Sequence, residues 1–194
     1  TPDFASGALE ALIEAGHEIT AVYTQPDKPK GRGKEVQMTP VKEVALKYDI
    51  PVYQPVRIKN AEEVALLRSI EADIYVVAAF GQILSQEILD IPKYGCVNIH
   101  ASLLPKYRGA SPINAAVLHG DAETGVTIMQ MDEGLDTGDM LIKRSIAITE
   151  NEPVGSVHDR LAVIGGEAIV EALRLLEEKG ELIGEKQPEG CDSY

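Results

Sequence analysis

Residues 74–79 read IYVVAA, an unbroken apolar run. Six residues are too few for a buried helix, and a strand without polar alternation must be covered on both faces. Such a strand needs helices on either side of its sheet, and helical patterns do flank it. Val64 and Leu67 precede it in helical phase within residues 61–70, and Ser85 can cap a short helix over residues 83–89. The alternation extends along the chain. Leu9, Leu12 and Ile13 share a helical face that Gly16 closes. Thr39 and Pro40 open a helix over residues 41–48 as N-cap and first residue. Further helices are expected over 112–119 and 155–179, with Ile164, Ala168, Leu173 and Leu176 of the last facing inward. Strands are expected at 19–23, 51–54 and 96–100. Residues 125–131 and 140–148 read as two more, joined by a loop of hairpin length. The expectation is an α/β fold: a Rossmann-like, open, mostly parallel sheet with helices on both faces and an antiparallel element near one side.

The opening residues TPDFASGALEALIEAGHE run from a loop straight into a helix, where an α/β chain delivers a strand first. We therefore expect a strand ahead of Thr1. With 44% hydrophobic and 25% charged residues, the 194-residue chain can bury a full-sized core. Its net charge of −13 argues against a nucleic-acid binder when the chain is taken whole. Cys96 and Cys191 match no metal spacing, and a reduced, cytoplasmic setting is expected, with no metal. No apolar stretch approaches ~20 residues, so no membrane partner is expected.

The chemistry-bearing residues lie in VNIHASLLPKYRGASPI, residues 97–113. Asn98 and His100 share one strand face, ~6.6 Å apart along the strand. His100 ends its strand, where ligands of open parallel sheets bind. This is either a buried polar pair or a catalytic strand end. Asp136, in the loop DEGLDTGD of residues 132–139, is the carboxylate that would complete an acid–base trio. That loop also reads as an acidic turn or a weak calcium loop without EF-hand spacing. Such a trio suits acyl transfer to an amine. Asn98 and a protonated His100 would donate to the oxyanion, each such donor contributing ~2.7–4 kcal/mol to barrier lowering. Asp136 would orient the imidazole and assist proton transfer. Ser102 lacks the glycines of a nucleophile elbow, which speaks against a serine hydrolase.

Between Asp27 and Lys34, the cations Lys28, Lys30, Arg32 and Lys34 face one carboxylate, a net +3 in an acidic chain. Residues 24–40 read as a loop, and its cations are either solvated or an extended arm for phosphate. No Gly-x-Gly-x-x-Gly opens a helix, so a dinucleotide dehydrogenase has little support.

The signature around Asn98 and His100, the block AETGVTIMQMDEGLDTGDML, and the segments TPDF and QPDKPKGRGK resemble the 10-formyltetrahydrofolate-dependent formyltransferases, and among them the methionyl-tRNA-modifying branch. The resemblance covers essentially the whole chain. It implies that Asn98, His100 and Asp136 are catalytic. It implies that 10-formyltetrahydrofolate rests against Gly81, Gln82, Ile83, Leu84, against Ser102, Leu103, Leu104, Pro105, and against Glu133, Gly134, Leu135, largely through backbone groups. Lys30, Arg32 and Lys34 would enter the acceptor end of initiator methionyl-tRNA, whose α-amine would attack the formyl carbon. A formyltransferase or formyl-folate hydrolase acting on a small amine or water is the alternative on the same fold, and a non-catalytic folate- or RNA-binding module is a third. Residues 1–184 would be the catalytic domain of a monomer, lacking its first strand. Residues 185–194 would begin a linker to a tRNA-gripping β-barrel domain. Which of His100 and Asp136 takes the amine proton stays open, as does the role of Lys106 and Arg108.

Overall fold

A computed structural model describes residues 3–30, 35–109 and 111–188. Asp3 caps the first helix, α1 (Phe4–Glu14), in a reciprocal capping box with Ser6. Gly16, just past its end, takes φ +89°, the left-handed conformation that glycine adopts without cost. There follow β1 (Val22–Tyr23), β2 (Lys28–Lys30), β3 (Glu35–Gln37), α2 (Pro40–Lys47) and β4 (Val52–Tyr53). Next come α3 (Ala61–Ser69), β5 (Tyr75–Val77), α4 (Gln86–Leu89), β6 (Cys96–His100) and α5 (Pro112–Leu118). The chain continues with β7 (Glu123–Gln130), β8 (Met140–Ala147) and the long α6 (Val154–Lys179). Thr39 caps α2 and Ser85 caps α4, as their positions predict, although α4 begins three residues later than expected.

The α/β architecture is as expected, with two refinements. First, the antiparallel element is more than a hairpin at one side. β6 pairs in parallel with β5, but β7 runs antiparallel to β6 and β8 antiparallel to β7. Second, the stretch expected to be a loop at residues 24–40 contains a short antiparallel ribbon, with β2 paired to β3. Its strands, Lys-Pro-Lys and Glu-Val-Gln, are only three residues long, too short for a periodic pattern to reveal them.

Period-two alternation sorts the strand side chains between two layers. Val97 and Ile99 of β6 enter the main core with Phe4, Ala8 and Leu12 of α1 and Leu161, Ile169 and Leu173 of α6. On the other side, Tyr23 and Tyr75 pack against Ile58, Val64, Leu67 and Ile88 around α3 and α4. Asn98 and His100 are therefore turned away from the α1–α6 core by the same alternation that buries Val97 and Ile99.

β1 and β4 form a parallel pair that shares no backbone ladder with the four-strand sheet β5–β6–β7–β8. Residues 19–25 around β1 and 73–80 around β5 line one cavity of about 930 Å3. This opening explains why β5, expected to be covered on both faces, is only half-buried.

Candidate active site

His100 closes β6 and is 6% exposed. Its Nε2 lies 2.7 Å from the backbone oxygen of Tyr107. A carbonyl only accepts, so the proton sits on Nε2 and is donated to Tyr107. Nδ1 is the nitrogen left to exchange a proton, and it lies 3.6 Å from Asp136 Oδ2. That is an ion-pair separation rather than a hydrogen bond. Both side chains are largely dry, at 6% and 12% exposure, so charge acts strongly between them.

Asp136 is fixed from three sides. Its Oδ2 accepts the Gly109 N–H at 2.7 Å, and its Oδ1 lies 3.4 Å from the Asn98 amide nitrogen. Its backbone takes φ +55°, a left-handed conformation that Asp tolerates better than most residues. The loop holding it turns on Asp132, whose Oδ1 accepts from Gly134 N at 2.9 Å and from Thr137 Oγ1 at 2.8 Å. Gly138 passes so close to Gln130 that a Cβ there would collide with its carbonyl. Asp132 is thus engaged in turn-making, and among the described residues no group of three or more His, Cys, Asp or Glu is placed to hold a metal ion.

Three left-handed non-glycine residues surround this centre: Ala79, Tyr107 and Asp136, at φ +49°, +54° and +55°. Tyr107 is anchored by its phenol, which donates to Asp121 Oδ2 at 2.6 Å. Its single hydrogen being so used, the phenol oxygen accepts from His119 Nδ1 at 3.0 Å. Burial, and then the hydrogen bond to Asp121, push the Tyr107 phenol up to about 12.

The residues expected to seat a folate fall into two kinds. Ile83 and Leu135 are exposed apolar side chains, at 79% and 59%, and Glu133 and Gly134 are exposed beside Leu135. Leu84 packs into the α3–α4 layer. Gly81 takes φ +85° beside the Gln25 side chain. Gln82 turns its side chain inward, accepting from Ile58 N at 2.7 Å and donating to Pro55 O at 2.9 Å. The turn at 102–105 is committed to the protein itself. Ser102 is fully buried and donates to Lys106 O, while Leu104 N donates to Thr127 and Leu104 O accepts from Lys143 at 2.8 Å. Pro105 is buried and Leu103 half-buried. Leu103, Leu104 and Pro105 line a cavity of about 290 Å3 together with Lys106, Tyr107 and Lys143.

Arg32 and Lys34 lie outside the described residues, and Lys30 is described only as the last residue of β2. The base of that basic ribbon is tied down. Lys42 Nζ donates to Asp27 at 2.8 Å and to Gln54 at 2.9 Å, and Gln54 Nε2 donates to Asp27 at 2.7 Å. The Lys42 hydrogen bond, with that of Gln54, lowers the Asp27 carboxyl below its ordinary range. Gln25 joins this cluster to the Gly81 turn by donating to Phe80 O at 2.7 Å. Sequence reasoning missed this cluster and the Tyr107 anchor, because neither follows a periodic pattern.

A donor amide, an imidazole and a carboxylate thus meet at the end of β6, a set whose chemistry suits acyl transfer. Residues 1–173 match the formyl transferase family. The chain belongs to that family. It is 57% identical over 178 residues to the methionyl-tRNA formyltransferase of Agathobacter rectalis, and 56% identical over 194 residues to that of Marinobacter nauticus. It spans 57% and 62% of the length of those two proteins. Among solved formyl transferases, the phosphoribosylglycinamide formyltransferase of Bacillus halodurans shares the fold at a TM-score of 0.77, with 24% identity over 92% of this chain and 94% of that one. A sugar formyltransferase of Anoxybacillus kamchatkensis, solved with a UDP-formamido-sugar and tetrahydrofolate, aligns at TM-score 0.64 and 25% identity over 90% and 84% of the two chains.

Proposed function

We propose that this protein transfers the formyl group of 10-formyltetrahydrofolate to the α-amine of initiator methionyl-tRNA. The observation that carries the reading is the convergence of Asn98, His100 and Asp136 at the end of β6. The similarity of the whole chain to methionyl-tRNA formyltransferases supports methionyl-tRNA as the acceptor. The amine nitrogen attacks the formyl carbon and the carbonyl oxygen becomes an oxyanion. Asn98 carries two amide N–H groups, so it can donate to that oxyanion while keeping its contact with Asp136. The proton lost by the amine passes to His100 Nδ1 or Asp136, and the folate nitrogen leaves protonated. The exposed apolar side chains of Ile83 and Leu135 suit the flat face of a pterin. The basic segment of residues 27–34, with Lys30, Arg32 and Lys34, meets tRNA phosphates.

In this reading the enzyme acts as a cytoplasmic monomer. Residues 1–184 form the catalytic domain, and residues 185–194 begin the linker to a tRNA-gripping domain. Among the described residues no helix is long and apolar enough to cross a membrane.

The test uses the full-length protein with 10-formyltetrahydrofolate and methionyl-tRNA. Formyl-methionyl-tRNA is the expected product. Release of formate alone would select a hydrolase instead, and formylation of free small amines would select a different formyltransferase.

A further inference from the structure

The segment that leaves α6 does not depart from the molecule. Gly184 approaches Asp139 so closely that a Cβ would sit 2.6 Å from the Asp139 Cβ. Glu185 and Met140 then exchange both backbone hydrogen bonds, at 2.8 and 2.9 Å. This adds a single antiparallel bridge at the start of β8, directly after the loop that carries Asp136. Two residues on, the half-buried side chain of Gln187 reaches across that loop. Its Nε2 donates to the backbone oxygens of Asp136 and Gly138, at 2.8 and 2.9 Å. Its Oε1 accepts from Arg108 Nε and Nη2, at 3.0 and 2.8 Å.

An amide side chain has two N–H groups and two lone pairs. Gln187 spends all four on the two loops that build the catalytic centre. One is the loop of Asp136. The other runs from Ser102 to Gly109 and supplies the Tyr107 carbonyl to His100 and the Gly109 N–H to Asp136. Asp136 is held in a left-handed conformation, which persists only where surrounding contacts over-determine it.

We propose that Gln187 is a positioning residue for Asp136, and that residues 184–188 form a clasp through which the chain beyond α6 acts on the catalytic loops. The proposal rests on the formyl-transfer reading for its kinetic consequence, but not for its structural one. The chemistry makes a sharp distinction between two substitutions. Gln187→Ala removes every contact. Gln187→Glu keeps an acceptor for Arg108 but offers no N–H to the carbonyls of Asp136 and Gly138. A clasp that works through those carbonyls is lost in both.

The experiment uses the full-length protein and its two variants. It measures kcat, KM for the formyl donor, the melting temperature, and the titration of the His100 ring nitrogens by NMR without substrate. Both variants are expected to lower kcat on the order of 10- to 100-fold, the scale of a small misplacement of a catalytic group. KM for the formyl donor and the melting temperature are expected to stay at the wild-type values, and the His100 titration is expected to move. Wild-type kcat in either variant would overturn the proposal. So would a fall in kcat that accompanies a lower melting temperature with His100 titrating as in the wild type. If the wild-type protein transfers no formyl group, the functional reading fails, and the His100 titration alone decides the clasp.

Discussion

The backbone carbonyl of Tyr107 accepts the Nε2 proton of His100 across 2.7 Å, and the phenol of the same tyrosine is bound to Asp121 at 2.6 Å. The carbonyl selects the ring tautomer, and the phenol holds the carbonyl in place. Tyr107→Phe keeps the carbonyl and removes its anchor. Formyl transfer by this variant is expected to fall by roughly tenfold, well short of the 10²–10⁴-fold expected for His100→Ala, which removes the proton carrier. Steady-state kinetics of the two variants side by side check the order.

The Asn98 side-chain amide lies 3.4 Å from Asp136 Oδ1, and in the proposed reaction it donates to the developing oxyanion. Asn98→Ala is expected to cost about 10²- to 10³-fold in kcat, the range for one oxyanion donor, with a smaller change in KM for the formyl donor. Asp136→Asn keeps the shape and the Gly109 contact and removes the charge. Its kcat should fall at all pH values, whereas a pure packing role for Asp136 would leave kcat at the wild-type level.

Lys42 is half-buried at the base of the basic ribbon, where it holds Asp27 and Gln54. Lys42→Met preserves length and removes both hydrogen bonds. The expected result is a several-fold higher KM for methionyl-tRNA with KM for the formyl donor unchanged. Equal effects on both substrates would show that the cluster serves the Gly81 turn rather than the ribbon.

Cys96 is 1% exposed, and burial pushes its thiol up to about 12 from 9.0. Between those two values the native state keeps a proton that the unfolded chain releases. Stability therefore falls as pH rises through this window, and below pH 9 the thiol makes no pH-dependent contribution. The stability gap between wild type and Cys96→Ala should narrow as pH is raised from 8 toward 11, read by thermal melts. At pH 8 the native thiol should not react with a disulfide reagent.

Much of this arrangement was legible in the sequence, and the parts that were not share a cause. Period-two alternation in residues 96–100 was enough to put Asn98 and His100 on one face and Val97 and Ile99 on the other. Thr39, Pro40 and Ser85 marked helix starts because capping is a local chemical act. The direction of β7 was not legible, since nothing local records which way a strand returns after α5. The ribbon of β2 and β3 was hidden because its strands are three residues long and β2 is built on Pro29 between two lysines. Gln187 had no signal at all: it is a polar residue in a polar segment, and its role exists only once two distant loops are folded beside it. In the turn at 102–105, the Ser102 hydroxyl and the Leu104 backbone groups are engaged by Lys106, Thr127 and Lys143, partners that no local pattern announces.

The opening between β1 and β5 also bears on how the molecule holds together as a cooperative unit. Among the described residues no backbone ladder crosses it, and α1, packed on both α2 and α6, helps join the β1–β4 half to the β5–β8 half. A strand seated there would close two ladders at once and act as a keystone. Without it, amide exchange should divide into two sets, with the β1–β4 amides opening at lower free energy than those of β6 and β7. The strand's two neighbours, β1 and β5, lie some fifty residues apart in the chain. Joining β1 to β5 would therefore close a longer stretch of chain than any ladder the two sheets now contain.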